Sequence, residues 1–218
     1  MTDYAAARLN MVEGQIRPNK VIDRRIIDAM EHLPREKFVP QRLSGLAYID
    51  EDLPLDNGRW LMEPMVLARL VQAAEIKGTD AALTIGASAG YAVALIAHLA
   101  ETSVGVESDA ELVGQAGSLM GKLSLDTAVV VEGTLQEGYP GHGPFDVIFI
   151  NGGVAEVPDA LFEQLSEGGR LVTVERREGK PGEAVLYKKV QGYMGRTVLF
   201  DANTPWLTGF EPKPSFQF

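Results

Sequence analysis

Residues Ala82 to Tyr91 read Ala-Leu-Thr-Ile-Gly-Ala-Ser-Ala-Gly-Tyr: an apolar run halted at Gly86, a string of small residues, and then a helical stretch from Ala92 to Ala100. Strand, tight glycine turn and helix in that order is the first βα unit of a nucleotide-binding α/β sheet. A second apolar run, Val104-Gly105-Val106, ends at Glu107. An acid at a second strand's end, roughly 20 residues past the first glycine, is placed to accept from ribose hydroxyls. The two glycines Gly86 and Gly90 are separated here by Ala87, Ser88 and Ala89. The glycine spacing alone is therefore a weak signal, and it gains weight from Glu107.

The flanking sequence extends this unit into a sheet. Thr2 or Asp3 can cap a first helix running to about Gln15, and Asp23 a second that Pro34 stops,. Asp56-Asn57-Gly58 is a turn signal. Residues 1–60 are accordingly expected to form a helical and loop-rich cap on a main domain of residues 61–218. Pro64 opens a helix with Glu63 near its positive end. Apolar runs predict strands at 81–85, 104–106, 128–131, 145–150 and 170–174,. Helices are expected at 92–100, 110–123 and 158–165, the last stopped by Glu167-Gly168-Gly169. Residues 184–190 and 197–200, joined through Gly192-Tyr193-Met194-Gly195 with no helix between, read as an antiparallel hairpin. The tail from Asn203 to Phe218 is expected to lie along the surface. The fold class is α/β: a doubly wound, mostly parallel sheet ending in an antiparallel hairpin. That arrangement is like the class I, Rossmann-like methyltransferases. A nicotinamide dehydrogenase would more often continue with another crossover helix.

Composition narrows the partners. The net charge of −10 has no Lys/Arg cluster to interrupt it, so a nucleic-acid backbone is an unsuitable partner,. With no cysteine there is no disulfide, thiolate metal site or Cys nucleophile,. His32, His98 and His142 are scattered, and no metal site is expected. The longest apolar runs fall well short of a membrane span, and Met1-Thr2-Asp3-Tyr4 lacks a secretory pattern, so the expected location is the cytoplasm,. Oligomeric state leaves no mark in the sequence.

Several blocks, in order, carry a more specific likeness. They are Arg24 to Met30, Pro34-Arg35-Glu36-Lys37-Phe38-Val39-Pro40, Ala47-Tyr48, Asp52-Leu53-Pro54-Leu55, Ile85-Gly86 to Gly90-Tyr91, and Val106-Glu107. They continue through Pro144-Phe145-Asp146-Val147-Ile148, Val157-Pro158, Leu161, Gln164-Leu165 and Gly168-Gly169-Arg170-Leu171-Val172. Together they resemble protein-L-isoaspartate O-methyltransferase over most of residues 5–175. The resemblance implies methyl transfer from S-adenosylmethionine to the α-carboxylate of isoaspartyl residues in damaged proteins. Such a carboxylate is ionised at neutral pH and the sulfonium is a ready leaving group, so positioning would supply most of the acceleration.

On that resemblance the cofactor contacts fall at Thr84, Gly86, Ser88, Gly90, Glu107 and Thr134, and the substrate is bordered by Trp60, Leu61 and Met62. Several of these positions depart from the family pattern. The family's Gln-Thr-Ile-Ser run is Arg59-Trp60-Leu61-Met62 here, so Met62 stands in place of a serine whose hydroxyl lies near the substrate carboxylate. A thioether donates no hydrogen bond. No catalytic side chain is therefore assigned. The first-strand acid is Thr84, the middle glycine of the turn is Ser88, and Gly-Asp-Gly after the third strand is Gly133-Thr134-Leu135. Loss of two charged hydrogen bonds, at roughly 1.5–3 kcal/mol each, weakens binding by about 10²- to 10⁴-fold. Three readings follow: an isoaspartyl methyltransferase, an inactive relative serving as a binding or regulatory module, and a methyltransferase with another acceptor.

Overall fold

A computed structural model describes residues 3–177 and 179–212. The chain opens with α1 (Tyr4–Met11), capped by the Asp3 carboxylate accepting from Ala6 N–H. At Gly14 the helix widens into one π turn, Val12–Ile16, followed by a 3-10 turn, so the α-helical part is shorter than the apolar pattern suggests. α2 (Arg24–His32) is capped by Asp23 and ends before Pro34, burying Ile26, Ile27 and Met30. Two short strands, β1 (Leu53–Pro54) and β2 (Trp60–Leu61), pair across the Asp56-Asn57-Gly58 turn. α3 (Pro64–Ala73) begins with proline, whose missing N–H costs nothing at a helix start,.

The main sheet contains β3 (Ala81–Ile85), β4 (Thr102–Glu107), β5 (Ala128–Glu132), β6 (Phe145–Val154), β7 (Leu165–Glu175), β8 (Glu183–Val190) and β9 (Tyr193–Asp201). Between strands lie α4 (Tyr91–Ala97), α5 (Ala110–Lys122) and α6 (Asp159–Glu163). The strand order is β5-β4-β3-β6-β7-β8-β9, parallel through β7 and antiparallel for the last two strands. Side chains alternate between two cores. Val147 and Phe149 join the larger one with Ile27, Phe38, Leu67 and Leu70, so the amino-terminal helices share a core with this face of the sheet. Ile148 and Ile150 face the other, with Leu83, Val106 and Leu161. Burial on both faces is why these strands read as unbroken apolar runs.

Three expectations are corrected. α6 ends at Glu163, and the Gly168 turn lies inside β7, where the register with β6 shifts. The hairpin turn is Gln191-Gly192, both with positive φ of 52° and 79°; Tyr193 and Met194 already belong to β9. That tight turn matches the twist of the strands it joins. The tail does not stay on the surface. Thr204, Leu207 and Phe210 are buried, and Trp206 bridges to Gly153 as a short parallel addition to β6. Each apolar side chain buried this way contributes roughly 1.5–3 kcal/mol. Residues 213–218 of the tail lie outside the described residues.

Candidate functional site

The site is the carboxyl edge of β3 and β4, which are adjacent and parallel, with Ile85 beside Val106. The turn after β3 is held down by Gly86 and Ala87 N–H groups, both donating to Val106 C=O. Gly86 has φ +74°, which strains any residue with a Cβ, and a Cβ there would lie 2.6 Å from Leu207 Cδ1,. Ser88, also left-handed at φ 52°, is a strained position for a residue with a Cβ,. Its backbone N–H donates to Glu107 Oε2 at 2.8 Å. Gly90 serves packing: a Cβ there would meet Met120 Cε at 2.5 Å, so its bareness lets α4 approach α5.

Glu107 is completely buried and points into the mouth between the two strands. Its carboxylate accepts from the N–H groups of Ser88, Ser108 and Asp109 at 2.8, 2.7 and 3.1 Å. It also receives Arg59. Nε lies 3.1 Å from both carboxylate oxygens and Nη2 lies 2.6 Å from Oε1. Five N–H groups thus converge on a carboxylate that offers about four lone-pair positions. Nothing is left over for a sugar hydroxyl. Arg59 is itself 5% exposed and adds a bond from Nη2 to Ser108 Oγ. Its backbone closes the β1–β2 turn, receiving Leu55 N–H and donating to Asp56 C=O, while Asn57 Nδ2 donates to Asp109. The turn signal at Asp56-Asn57-Gly58 therefore sets where the guanidinium lands.

The carboxyl-terminal strap fills the rest. Gly153 N–H donates to Pro205 C=O, and Leu207 N–H returns to Gly153 C=O. Leu207 is thereby laid across Gly86 and Gly152. Asn151 Nδ2 donates to Gly86 C=O, and the Arg176 guanidinium sits over Trp206 at 4.6 Å. What remains beneath these contacts is two voids of about 10 Å³ each. Ligand pockets run to roughly 300–1,000 Å³. Beyond Leu135, an open hollow of about 710 Å³ lies along Ser108, Thr134, Leu135 and Thr208 at the ends of β4 and β5.

The sequence-derived positions separate in space. Gly86, Ser88 and Glu107 meet at the mouth. Thr134 is exposed on the outer hollow. Thr84 is fully buried, and its hydroxyl has no hydrogen-bond partner. Trp60 is 36% exposed, whereas Leu61 and Met62 belong to the core and the Met62 carbonyl receives Arg35 Nη2 at 2.6 Å. Of the Trp60–Met62 wall, then, only Trp60 faces outward. The acidic run Asp50-Glu51-Asp52 lies beside Glu63 at the start of α3. Asp52 accepts Glu63 N–H at 2.8 Å, and burial raises its carboxyl above the ordinary range despite that bond and the nearby Arg35 and Arg176. Burial, and then Asp50, Asp52 and Glu51, push Glu63 up to about 7. Asp146 lies at the opposite edge, accepting from Ala81 N–H and Ser166 Oγ. Sequence reasoning missed Arg59 as the partner of Glu107, and Leu207 altogether. The available signal for Arg59 was a single arginine directly after a turn and at the head of the apolar run Trp60-Leu61-Met62.

Among known proteins, the sequence model of protein-L-isoaspartate(D-aspartate) O-methyltransferase matches residues 7–199. This chain belongs to that family. The methyltransferase of Koribacter versatilis is 36% identical over 96% of this chain and 94% of its own length. Protein-L-isoaspartate O-methyltransferase 2 of Anaeromyxobacter sp. is 36% identical over 84% and 75%. A solved protein-L-isoaspartate O-methyltransferase superposes with a TM-score of 0.80 at 25% identity, covering 93% of this chain and 66% of the other. A Plasmodium falciparum chain assigned to the same family and solved with S-adenosyl-L-homocysteine shares the fold, with a TM-score of 0.75 over 95% and 99% at 19% identity.

S-adenosylmethionine is the methyl donor of the isoaspartyl methyltransferase family, and isoaspartyl residues of proteins are its acceptors. The residues at this mouth do not fit that donor as they are arranged. Glu107 is saturated by Arg59 and backbone amides, Leu207 occupies the space against Gly86, and Thr84, which the resemblance sets at a cofactor contact, has a buried and partnerless hydroxyl. Among the described residues there is no helix long and apolar enough to cross a membrane and no His, Asp or Glu cluster suited to a metal.

Proposed function

We propose that this chain is an isoaspartyl methyltransferase family member that works as a binding or regulatory module, without methyl transfer. One observation carries the reading: the Arg59 guanidinium occupies the buried carboxylate on which a donor ribose would depend. Supporting it are the absence of a hydroxyl at Met62, the replacement of family acids by Thr84 and Thr134, and the two voids of about 10 Å³ against Gly86 and Met62, which leave the open hollow at Thr134 cut off from the turn after β3. Evicting Arg59 would uncover a buried charge, and breaking such a pair costs about 3–5 kcal/mol. A ligand must repay that cost before it gains affinity. The partner in this reading is a protein or peptide, and the place of action is the cytoplasm, in keeping with a cysteine-free chain,.

The reading that the comparisons support, and that this proposal must displace, is the family's own activity: methyl transfer from S-adenosylmethionine to isoaspartyl carboxylates. Retention of Gly86, Gly90 and Glu107 favours it. Calorimetry and thermal shift with S-adenosylmethionine and S-adenosylhomocysteine, taken to about 1 mM, separate the two, since a Kd there still corresponds to about 4 kcal/mol of binding. The first reading expects no heat and no shift. Saturable binding together with methyl transfer to an isoaspartyl peptide would establish the second in its place.

A further inference from the structure

We propose that Arg59 is an internal ligand: a side chain of the protein that replaces the nucleoside at Glu107, with Leu207 completing the closure, over a cleft that is otherwise still built to hold a cis-diol. This rests on the reading that the wild-type chain takes up no donor, and it states which two side chains are responsible.

The geometry around Glu107 is that of an occupied site. A carboxylate placed at a strand end to take two hydroxyls presents two oxygens toward the mouth. Here Arg59 Nε lies 3.1 Å from both of those oxygens. The guanidinium faces the carboxylate edge-on, as a planar fork suits. The backbone amides of Ser88, Ser108 and Asp109 hold the same carboxylate from the scaffold side, so its orientation does not depend on Arg59. Removing the guanidinium should leave Glu107 in place with free lone pairs toward the mouth.

Leu207 is equally local. It meets Gly86 and Gly152, two residues without side chains, and its strap is tied by backbone bonds from Gly153, Ala155 and Phe210. Shortening Leu207 leaves those bonds intact. The bare backbone at Gly86 would then face an enlarged void, and the next residue of the strap, Thr208, lines the hollow along Ser108 and Thr134. The closure therefore resides in two side chains, while the cradle resides in the backbone.

The test is calorimetry with S-adenosylhomocysteine on four proteins: wild type, Arg59→Gln, Arg59→Gln with Leu207→Ala, and that double variant carrying Glu107→Gln. Circular dichroism and a cooperative melt establish folding. The double variant should bind at least about tenfold tighter than wild type, the equivalent of one freed charged hydrogen bond. Arg59→Gln alone should show a smaller gain, and Glu107→Gln should abolish it. A folded double variant with affinity no better than wild type overturns the proposal, as does a gain that survives Glu107→Gln. If the double variant does not fold, Arg59→Gln with its Glu107→Gln partner decides on the same terms. Binding by wild type itself would instead defeat the reading of a chain without methyl transfer, so the two failures are distinguishable.

Discussion

The two edges of the parallel sheet each hold a buried arginine–carboxylate pair. At the amino edge, Arg170 on β7 reaches Asp80, just ahead of β3, at 2.5 Å. At the carboxyl edge, Arg59 reaches Glu107 at 2.6 Å. The chemistry is the same and the surroundings differ. Arg170 spends its remaining donors on the carbonyls of Ala74, Glu75 and Asp146, stitching the end of α3 to the middle of the sheet. Asp80 in turn receives Lys77 N–H. Arg59 makes one further side-chain bond, to Ser108, and otherwise sits at the mouth of a cleft. The first pair is wired into the scaffold. The second lies at the strand end where our proposal places the donor's ribose. Buried ion pairs of similar length therefore do different work, and what they displace or connect tells them apart.

That contrast can be broken by experiment. The largest effect is expected for Arg170→Leu, which strands Asp80 in the interior and should cost about 3–5 kcal/mol in urea unfolding. Ligand binding by the folded remainder should not change. Leu207→Ala should cost about 2 kcal/mol or more, because Leu207 is 4% exposed within the second core,. Arg59→Gln should cost less than Arg170→Leu, about 1–3 kcal/mol, since the glutamine amide can still donate and three backbone amides still hold Glu107,. Equal losses at Arg59 and Arg170 would mean that both pairs are scaffold, and the distinction would fall. Ser88→Gly should raise stability by about 0.5–1 kcal/mol by relieving a left-handed serine with a buried, unpartnered hydroxyl,.

A further effect is electrostatic and lies at the start of α3. Glu63 carries a carboxyl raised to about 7, first by burial and then by Asp50, Asp52 and Glu51. Its ionisation costs the folded state more than the unfolded chain. The penalty is absent below the ordinary glutamate range and complete above the raised value, so this contribution makes the protein less stable as pH climbs. Melting temperatures between about pH 4.5 and 7.5 should decline with pH in wild type and decline less in Glu63→Gln. An unchanged slope would show that Glu63 does not set this pH dependence.

Much of the fold was legible because its signals are local. The strand at Ala81–Ile85 and the helix from Ala110 follow from apolar periodicity, and α2 from a capping aspartate and a closing proline. Less local features were read less well. Gly168 looked like a helix stop; it does take the left-handed conformation, φ 78°, but inside β7, where the register with β6 shifts between Leu165 and Arg170. At the site, Gly86, Ser88 and Glu107 could be placed together from their spacing alone. The buried, partnerless state of Thr84 could not.

The sequence by itself determined the order of strands and helices, the two-faced burial of the sheet, the family, and the acid at the end of β4. Each of these is written in spacing between neighbours along the chain. Only the tertiary structure decided that the mouth is closed. Arg59 and Glu107 are 48 residues apart, and Leu207 reaches Gly86 from the far end of the described chain. No periodicity connects such positions. Charge pairing and apolar burial act through space, so which side chain fills a cleft is settled only once the sheet has brought its edge, the β1–β2 turn and the tail to one place.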